Sequence, residues 1–177
     1  MDRRRFIRQF GSLGACAAWP AAARAGTHHV SLIETLTVGN TAVIAVGGIQ
    51  RAVFGEPPPK LTPRPRFIAI NTRQRTNPKL WVDRYLEVGE GPGAPTSMDD
   101  AMQCALTAVR SIEDAVRGVE LAFLMVGLGG AAGSGITPVL AEALRRQGAK
   151  TFVHAVYPFE WEGAGRARNA DRAFDLL

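Results

Sequence analysis

Between residues 41 and 157 the chain alternates short apolar runs, glycine or proline breaks, and longer segments of helical periodicity. Ala42-Val43-Ile44-Ala45-Val46 stops at Gly47-Gly48, Phe67-Ile68-Ala69-Ile70 at Asn71-Thr72, Leu121 to Val126 at Gly127, and Lys150 to Tyr157 at Pro158. The run Leu121 to Val126 is too short for a helix and lacks alternation, so it fits a strand buried on both faces of a parallel sheet. Leu80 to Val88 alternates, with Leu80, Val82, Leu86 and Val88 set against Trp81, Asp83, Arg84 and Glu87, as a half-exposed strand does. Val30 to Val38 alternates more weakly and reads as an edge strand. From Ser97 to Val119 one long helix is predicted: Ser97 with Asp100 forms a cap, and Met102, Ala105, Leu106, Val109, Ile112 and Val116 share a face. A further helix is expected to start with Thr137 as cap and Pro138 at the first position, and to end at Gly148. Five prolines between Glu56 and Pro65 make that stretch an extended connection, so any helix after Gly48 stops near Gly55. The expected fold is one α/β domain, a mostly parallel sheet with helices on both faces. Its loops after Val46, Ile70, Val126 and Tyr157 should converge at the carboxyl ends of the strands.

The chemistry concentrates after Val126, in Gly127-Leu128-Gly129-Gly130-Ala131-Ala132-Gly133-Ser134-Gly135. A helix N-terminus offers unpaired N–H groups and a partial positive charge, and glycines let backbone close around an anion, so the strand, loop and helix read as a phosphate cradle. Gly127, Gly129 and Ala132 satisfy the dinucleotide fingerprint G-x-G-x-x-G/A, but that site wants an acid at the end of the next strand, and Thr151 to Tyr157 contains none. A Walker loop is excluded because no Lys-Ser/Thr pair follows the glycines.

The 177-residue chain carries a net charge of +5, and most of it sits in the leader. Arg3-Arg4-Arg5-Phe6-Ile7-Arg8 fits a twin-arginine pattern; an Ala/Gly-rich segment follows, and Ala23-Arg24-Ala25 forms a small-residue cleavage site before Gly26. The expectation is a signal peptide over 1–25 and a periplasmic domain over 26–177, with a cytoplasmic location as the alternative. Residues 1–25 hold five Arg and one Asp, so 16 basic against 15 acidic residues remain beyond them, a net charge of +1. The high isoelectric point is therefore no argument for nucleic acid. Cys104 is the one thiol outside the leader, His28 and His29 lack a third metal ligand nearby, and no run reaches transmembrane length.

Three motifs in order carry a resemblance. Gly129 to Gly135 followed by Ile136-Thr137-Pro138-Val139 resembles the GGGTGTG-AAPV signature of the tubulin/FtsZ GTPases. Phe67 to Thr72 resembles that family's F-I-A-V-N-T-D strand end, with 22 residues between Gly48 and Asn71 as the family spacing requires. Pro158-Phe159-Glu160-Trp161-Glu162-Gly163, with Arg166, resembles its K-P-F-x-F-E-G-x-x-R motif, although Glu162 and Arg166 also stand one helical turn apart as a surface ion pair would.

The resemblance implies a Rossmann-like domain that binds GTP or GDP, with or without Mg2+. The phosphates would lie on Gly129, Gly130, Ala131, Ala132, Gly133, Ser134 and Gly135, with Gly47, Gly48 and Asn71 close by, and the ribose on Glu162 and Arg166. Two departures bear on it. Ile49, Gln50, Arg51 and Ala52 replace the glycines and asparagine that continue the family's first loop, and Arg73 replaces its acid after the second strand. The chain ends at Leu177, before the family's central helix, catalytic aspartate loop and second domain. The resemblance thus implies weak or absent hydrolysis by these residues alone, and apolar surface beside the last strand for a homodimer or an FtsZ-like partner. An exported interaction domain that kept the fold and lost the nucleotide is the alternative.

Overall fold

A computed structural model of the chain describes residues 40–58, 60–72, 80–89 and 95–177. The expected signal peptide, the histidines at 28 and 29, the strand Val30 to Val38, Arg73 and most of the loop Gly89 to Pro95 lie outside the described residues.

Five strands form one sheet: β1 (Thr41–Val46), β2 (Arg66–Thr72), β3 (Arg84–Val88), β4 (Leu121–Gly127) and β5 (Lys150–Val156). All four pairings are parallel and the order is β3-β2-β1-β4-β5. A single turn of 3-10 helix (Gly47–Ile49) leads from β1 into the short α1 (Gln50–Phe54). Between β3 and β4 come α2 (Met98–Thr107) and α3 (Val109–Ala115); α4 (Ala131–Arg146) joins β4 to β5, and α5 (Ala164–Asp175) follows β5.

Alternation along the strands divides the interior in two. Ala42, Ile44, Val46, Ile68, Ile70, Ala122, Leu124 and Val126 point to one face and are buried with Ile112, Ile136, Leu140, Leu144, Ala170 and Ala173 of the helices α3, α4 and α5. On the other face Ala45, Phe67 and Ala69 are covered by Phe54, Val53 and Ile49 of the α1 segment and by Leu80 and Val82. Helices therefore lie on both faces, as the sequence predicts. Since α1 runs behind the sheet and α4 in front of it, the chain leaves β1 and β4 in opposite directions, and that switch opens a crevice at the carboxyl ends of the strands.

Four expectations need correction. The helix after the glycines starts at Ala131, with Gly130 as N-cap, six residues before the predicted Thr137 cap. Thr137 and Pro138 lie inside it. Pro138 supplies no N–H to the preceding turn, and Thr137 Oγ1 donates to Gly133 O at 2.6 Å. The helix predicted from Ser97 to Val119 is two helices, broken at Ala108 (φ −91°, ψ 14°). The break turns Leu106 outward to 50% exposure while Ile112 stays buried, so the two halves do not share one continuous face. The strand over Leu80 to Val88 shortens to Arg84–Val88, because the residues before it are held individually: Trp81 N donates to Phe54 O at 2.9 Å and Asp83 N to Phe67 O at 2.8 Å. β4 is buried on one face only, with Leu121, Phe123 and Met125 half-exposed on the other. Its neighbour β5 exposes Phe152 and Val156 on that same side.

Candidate functional site: the glycine crevice

At the end of β4 the backbone is fixed before it reaches the helix. Leu128 N donates to Val156 O at 2.9 Å, Gly129 turns with φ +96°, and Gly130 caps α4 in extended conformation without a side-chain cap. Gly129 N donates to the buried Ser134 Oγ at 2.8 Å, and Ser134 N donates to Gly130 O at 3.1 Å. The latter is the first rung of the helical ladder, so the amides of Ala131, Ala132 and Gly133 have no acceptor within the helix. They gather at the positive end of a 16-residue helix.

The glycines here serve two different purposes. Gly133 and Gly135 are packing positions: a Cβ on Gly133 would stand 2.1 Å from Gly127 O, and one on Gly135 would stand 2.5 Å from Met98 O, where α2 crosses α4 backbone to backbone. A Cβ on Gly129 would come within 3.1 Å of Arg166 Cβ, and one on Gly47 within 2.9 Å of Gly133 N. Gly48 and Gly130 face open space, with nothing within 4 Å of an added Cβ. The side chains of Ala131 and Ala132 are half-buried. The open side of the crevice is therefore the stretch from Gly48 across to Gly130 and the first turn of α4.

The segment after β5 closes one flank. Glu162 Oε1 accepts from Phe159 N at 2.8 Å, and its other oxygen takes Arg166 at 2.6 Å, so the predicted pair is formed one turn apart. Asn169 Nδ2 donates to Gly129 O at 3.3 Å, which ties α5 to the glycine turn. Tyr157 donates to Asp171 Oδ1 at 2.9 Å, and burial together with that carboxylate pushes its hydroxyl well above the ordinary tyrosine range. Phe159 and Trp161 stack on each other at 5.6 Å with Trp161 81% exposed at the rim.

On the opposite flank Asn71, at the end of β2, is buried and its Oδ1 accepts from Thr72 N at 2.9 Å. Gln50 is a site residue that sequence reasoning placed among bulky departures. Its side chain is buried at the start of α1, and its Oε1 has no hydrogen-bond partner among the described residues. No sequence signal marks it, because the first residue of a five-residue helix carries no period. The structure thus brings Gly47, Gly48, Asn71, Gly129 to Gly135, Glu162 and Arg166 to one edge of the sheet. No group of three or more His, Cys, Asp or Glu capable of holding a metal occurs among the described residues. Mg2+ in nucleotide sites is held largely by phosphate and water, so one or two polar side chains would suffice here.

The sequence model of the Tubulin/FtsZ family, GTPase domain, matches residues 47–177. The chain belongs to the tubulin/FtsZ family. Among curated relatives it is 33% identical over 118 residues to cell division protein FtsZ 1 of Pyrococcus furiosus, covering 63% of this chain and 31% of that protein. It is also 33% identical over 115 residues to cell division protein FtsZ 2 of Rhizobium meliloti, covering 63% and 33%. The chain spans about a third of the length of the relatives it matches. Among solved structures, the empty FtsZ dimer of M. jannaschii superposes with a TM-score of 0.67 at 26% identity, covering 86% of this chain and 46% of that one. CetZ from Methanosaeta thermophila gives 0.57 at 25% identity over 78% and 42%. In this tubulin/FtsZ frame the β4 loop, the β2 end and the segment after β5 are the three stretches whose sequences carry the family pattern.

Proposed function

We propose that the chain binds a guanine nucleotide, GTP or GDP, in the crevice between the β1 and β4 loops. The observation that carries this reading is the first turn of α4: three amides without helical acceptors, at the positive end of a long helix, next to Gly48 and Gly130, where an added Cβ would meet nothing within 4 Å. Phosphates fit that turn. Glu162 and Arg166 lie on the β5 side of the same edge and suit the hydroxyl groups of a ribose, the carboxylate as acceptor and the guanidinium as donor.

Hydrolysis by these 177 residues is proposed to be slow. In phosphoryl transfer, positioning and charge compensation around the attacking water supply most of the rate. Arg73 stands where the family pattern has an acid, which reverses the charge at that position. Exposed Phe152, Val156, Phe159 and Trp161 are consistent with a homodimer or an FtsZ-like partner. The leader over residues 1–25 points to a periplasmic destination. Sequencing the N-terminus of native protein tests this, with Gly26 as the expected first residue and an intact Arg3-Arg4-Arg5 as the contrary result.

Isothermal titration with GTP, and competition by GDP, test the main reading. Saturable heat that GDP displaces supports it. No heat at millimolar nucleotide would leave the alternative, an interaction domain that kept the fold alone.

A further inference from the structure

The two edges of the sheet are finished differently. At one edge β3 presents the charged Arg84 and Glu87. At the other, β5 has no Lys, Arg, Asp, Glu or Pro from Thr151 to Val156, although charge and proline are the usual devices that blunt an edge against another strand. Lys150 N donates to Glu120 O at 2.8 Å and Leu128 N donates to Val156 O at 2.9 Å, so the even-numbered residues of β5 turn their backbone groups toward β4. The N–H and C=O groups of Thr151, Val153 and Ala155 therefore point away from the sheet, and none of them is paired among the described residues.

A row of unpaired backbone groups is satisfied by another strand, and the side chains decide which. On the open side of β4 and β5, Phe152 is 57% and Val156 44% exposed. Phe152 stacks on the half-exposed Phe123 of β4 at 5.7 Å, so the apolar strip runs unbroken from β4 to the edge. A second β5 running antiparallel, with a two-fold axis at His154, sets Phe152 of each copy opposite Val156 of the other. Thr151, Val153 and Ala155 then fall at hydrogen-bonded positions. Phe152 and Val156 fall at the closer, non-hydrogen-bonded ones, where Cα atoms stand about 4.5 Å apart. Lys150 of each copy comes to the end of the strand where the other copy carries the acidic 3-10 turn Glu160–Glu162. A register centred on Val153 instead sets Phe152 against His154 and Lys150 against Val156, and loses both matches.

We infer that β5 is the seam of a two-fold homodimer, in which a second copy of this chain adds its own β5 antiparallel and joins two five-stranded sheets into one of ten strands. This takes the homodimer of the partner reading above and does not depend on nucleotide, since the seam runs along the strand and not through the glycine crevice. The contact is isologous and closes at two copies. It covers the Phe123 and Phe152 strip of each copy with Val156 of the other, and cross-strand pairs of an aromatic with a β-branched residue are among those that stabilise antiparallel sheets.

Sedimentation velocity on the full chain reads the association, with thermal unfolding to establish that each variant is folded. Native protein at about 100 μM should sediment as a dimer. Phe152→Lys places a charge on an exposed edge position and should weaken association at least about tenfold. A cross-link reads the register. His154→Cys faces its own copy across the axis with Cβ atoms about 4.5–5.5 Å apart, near disulfide reach, whereas Lys150→Cys lies about eight residues, ~27 Å, from its copy. Mild oxidation should turn His154→Cys into a reducible dimer at least about tenfold faster than Lys150→Cys or the native chain, whose thiols are Cys16 and Cys104. Native protein that is monomeric at that concentration, a folded Phe152→Lys that dimerises undiminished, or equal cross-linking by the two cysteine variants would overturn the inference. So would growth past the dimer into chains, which a head-to-tail contact produces and a closed two-fold contact does not. Nucleotide titration of the same native protein reports separately on the functional reading.

Discussion

Gly47 at the end of β1 lies directly against Gly133 in the first turn of α4: a Cβ on Gly47 would stand 2.9 Å from Gly133 N, and Gly47 has φ +72°. A side chain there meets backbone on one side and a strained dihedral on the other. Gly47→Ala should therefore destabilise the fold by about 1–3 kcal/mol. Urea unfolding checks it, and a midpoint equal to that of the native chain would show that the two loops do not pack as described.

Gly130 separates scaffold from site. It caps α4 with ordinary extended dihedrals and open space around it, so a side chain fits. Gly130→Asp places an acceptor and a negative charge at the helix N-terminus, worth a few tenths of a kcal/mol to about 1 kcal/mol of added stability. The same charge should repel phosphate and lower nucleotide affinity at least about tenfold, since opposing a buried charge costs more than 1.4 kcal/mol. Thermal unfolding and titration on one preparation should move in opposite directions.

Glu162 and Arg166 should matter more to ligand than to fold. Their ion pair at 2.6 Å is mostly solvent-facing on the arginine side, and such pairs contribute about 0–1 kcal/mol. Arg166→Ala should shift stability within that range and weaken nucleotide binding. Glu162→Gln retains an acceptor for Phe159 N and tests the charge alone. Binding by Arg166→Ala at native strength would place the ribose elsewhere.

Acid should weaken α4 at its carboxyl end. Hydrogen bonds from Arg145 and then Arg146 hold the Glu142 carboxyl down to about 2. A carboxyl lowered in the folded state contributes stability above its unfolded value near 4.5, and that contribution is lost as pH falls from there toward 2. For Asp83, burial acts to raise the pKa, but the Phe67 N–H and the Arg64 guanidinium outweigh it and lower it, so its contribution is lost on acidification too. Urea midpoints followed from pH 6 to pH 2.5 should fall less steeply in Glu142→Gln than in the native chain; parallel curves would remove Glu142 from the account.

Much of this molecule is legible in its residues taken singly or in short runs. The four apolar runs ending at Gly47, Asn71, Gly127 and Pro158 become β1, β2, β4 and β5, because a buried strand needs little more than apolar continuity and a breaker at its end. The motifs that resemble the tubulin/FtsZ pattern mark the loops that meet at the sheet edge, since tight turns demand particular residues at fixed offsets. Tertiary contact decided the rest. Helix α4 begins at Ala131 and not at Thr137, because Gly129 N, Ser134 Oγ and the close seat of Gly133 on Gly127 fix an earlier turn that local capping preferences do not encode. The helix pair α2 and α3 shares one unbroken apolar period, and only packing of α2 against Gly135 and of Ile112 in the core distinguishes two helices from one. Which glycines are open and which are filled is likewise invisible in GGAAGSG, since a glycine's reason lies in the atoms its absent side chain would meet, and those come from residues up to 86 positions away, as with Gly47 and Gly133.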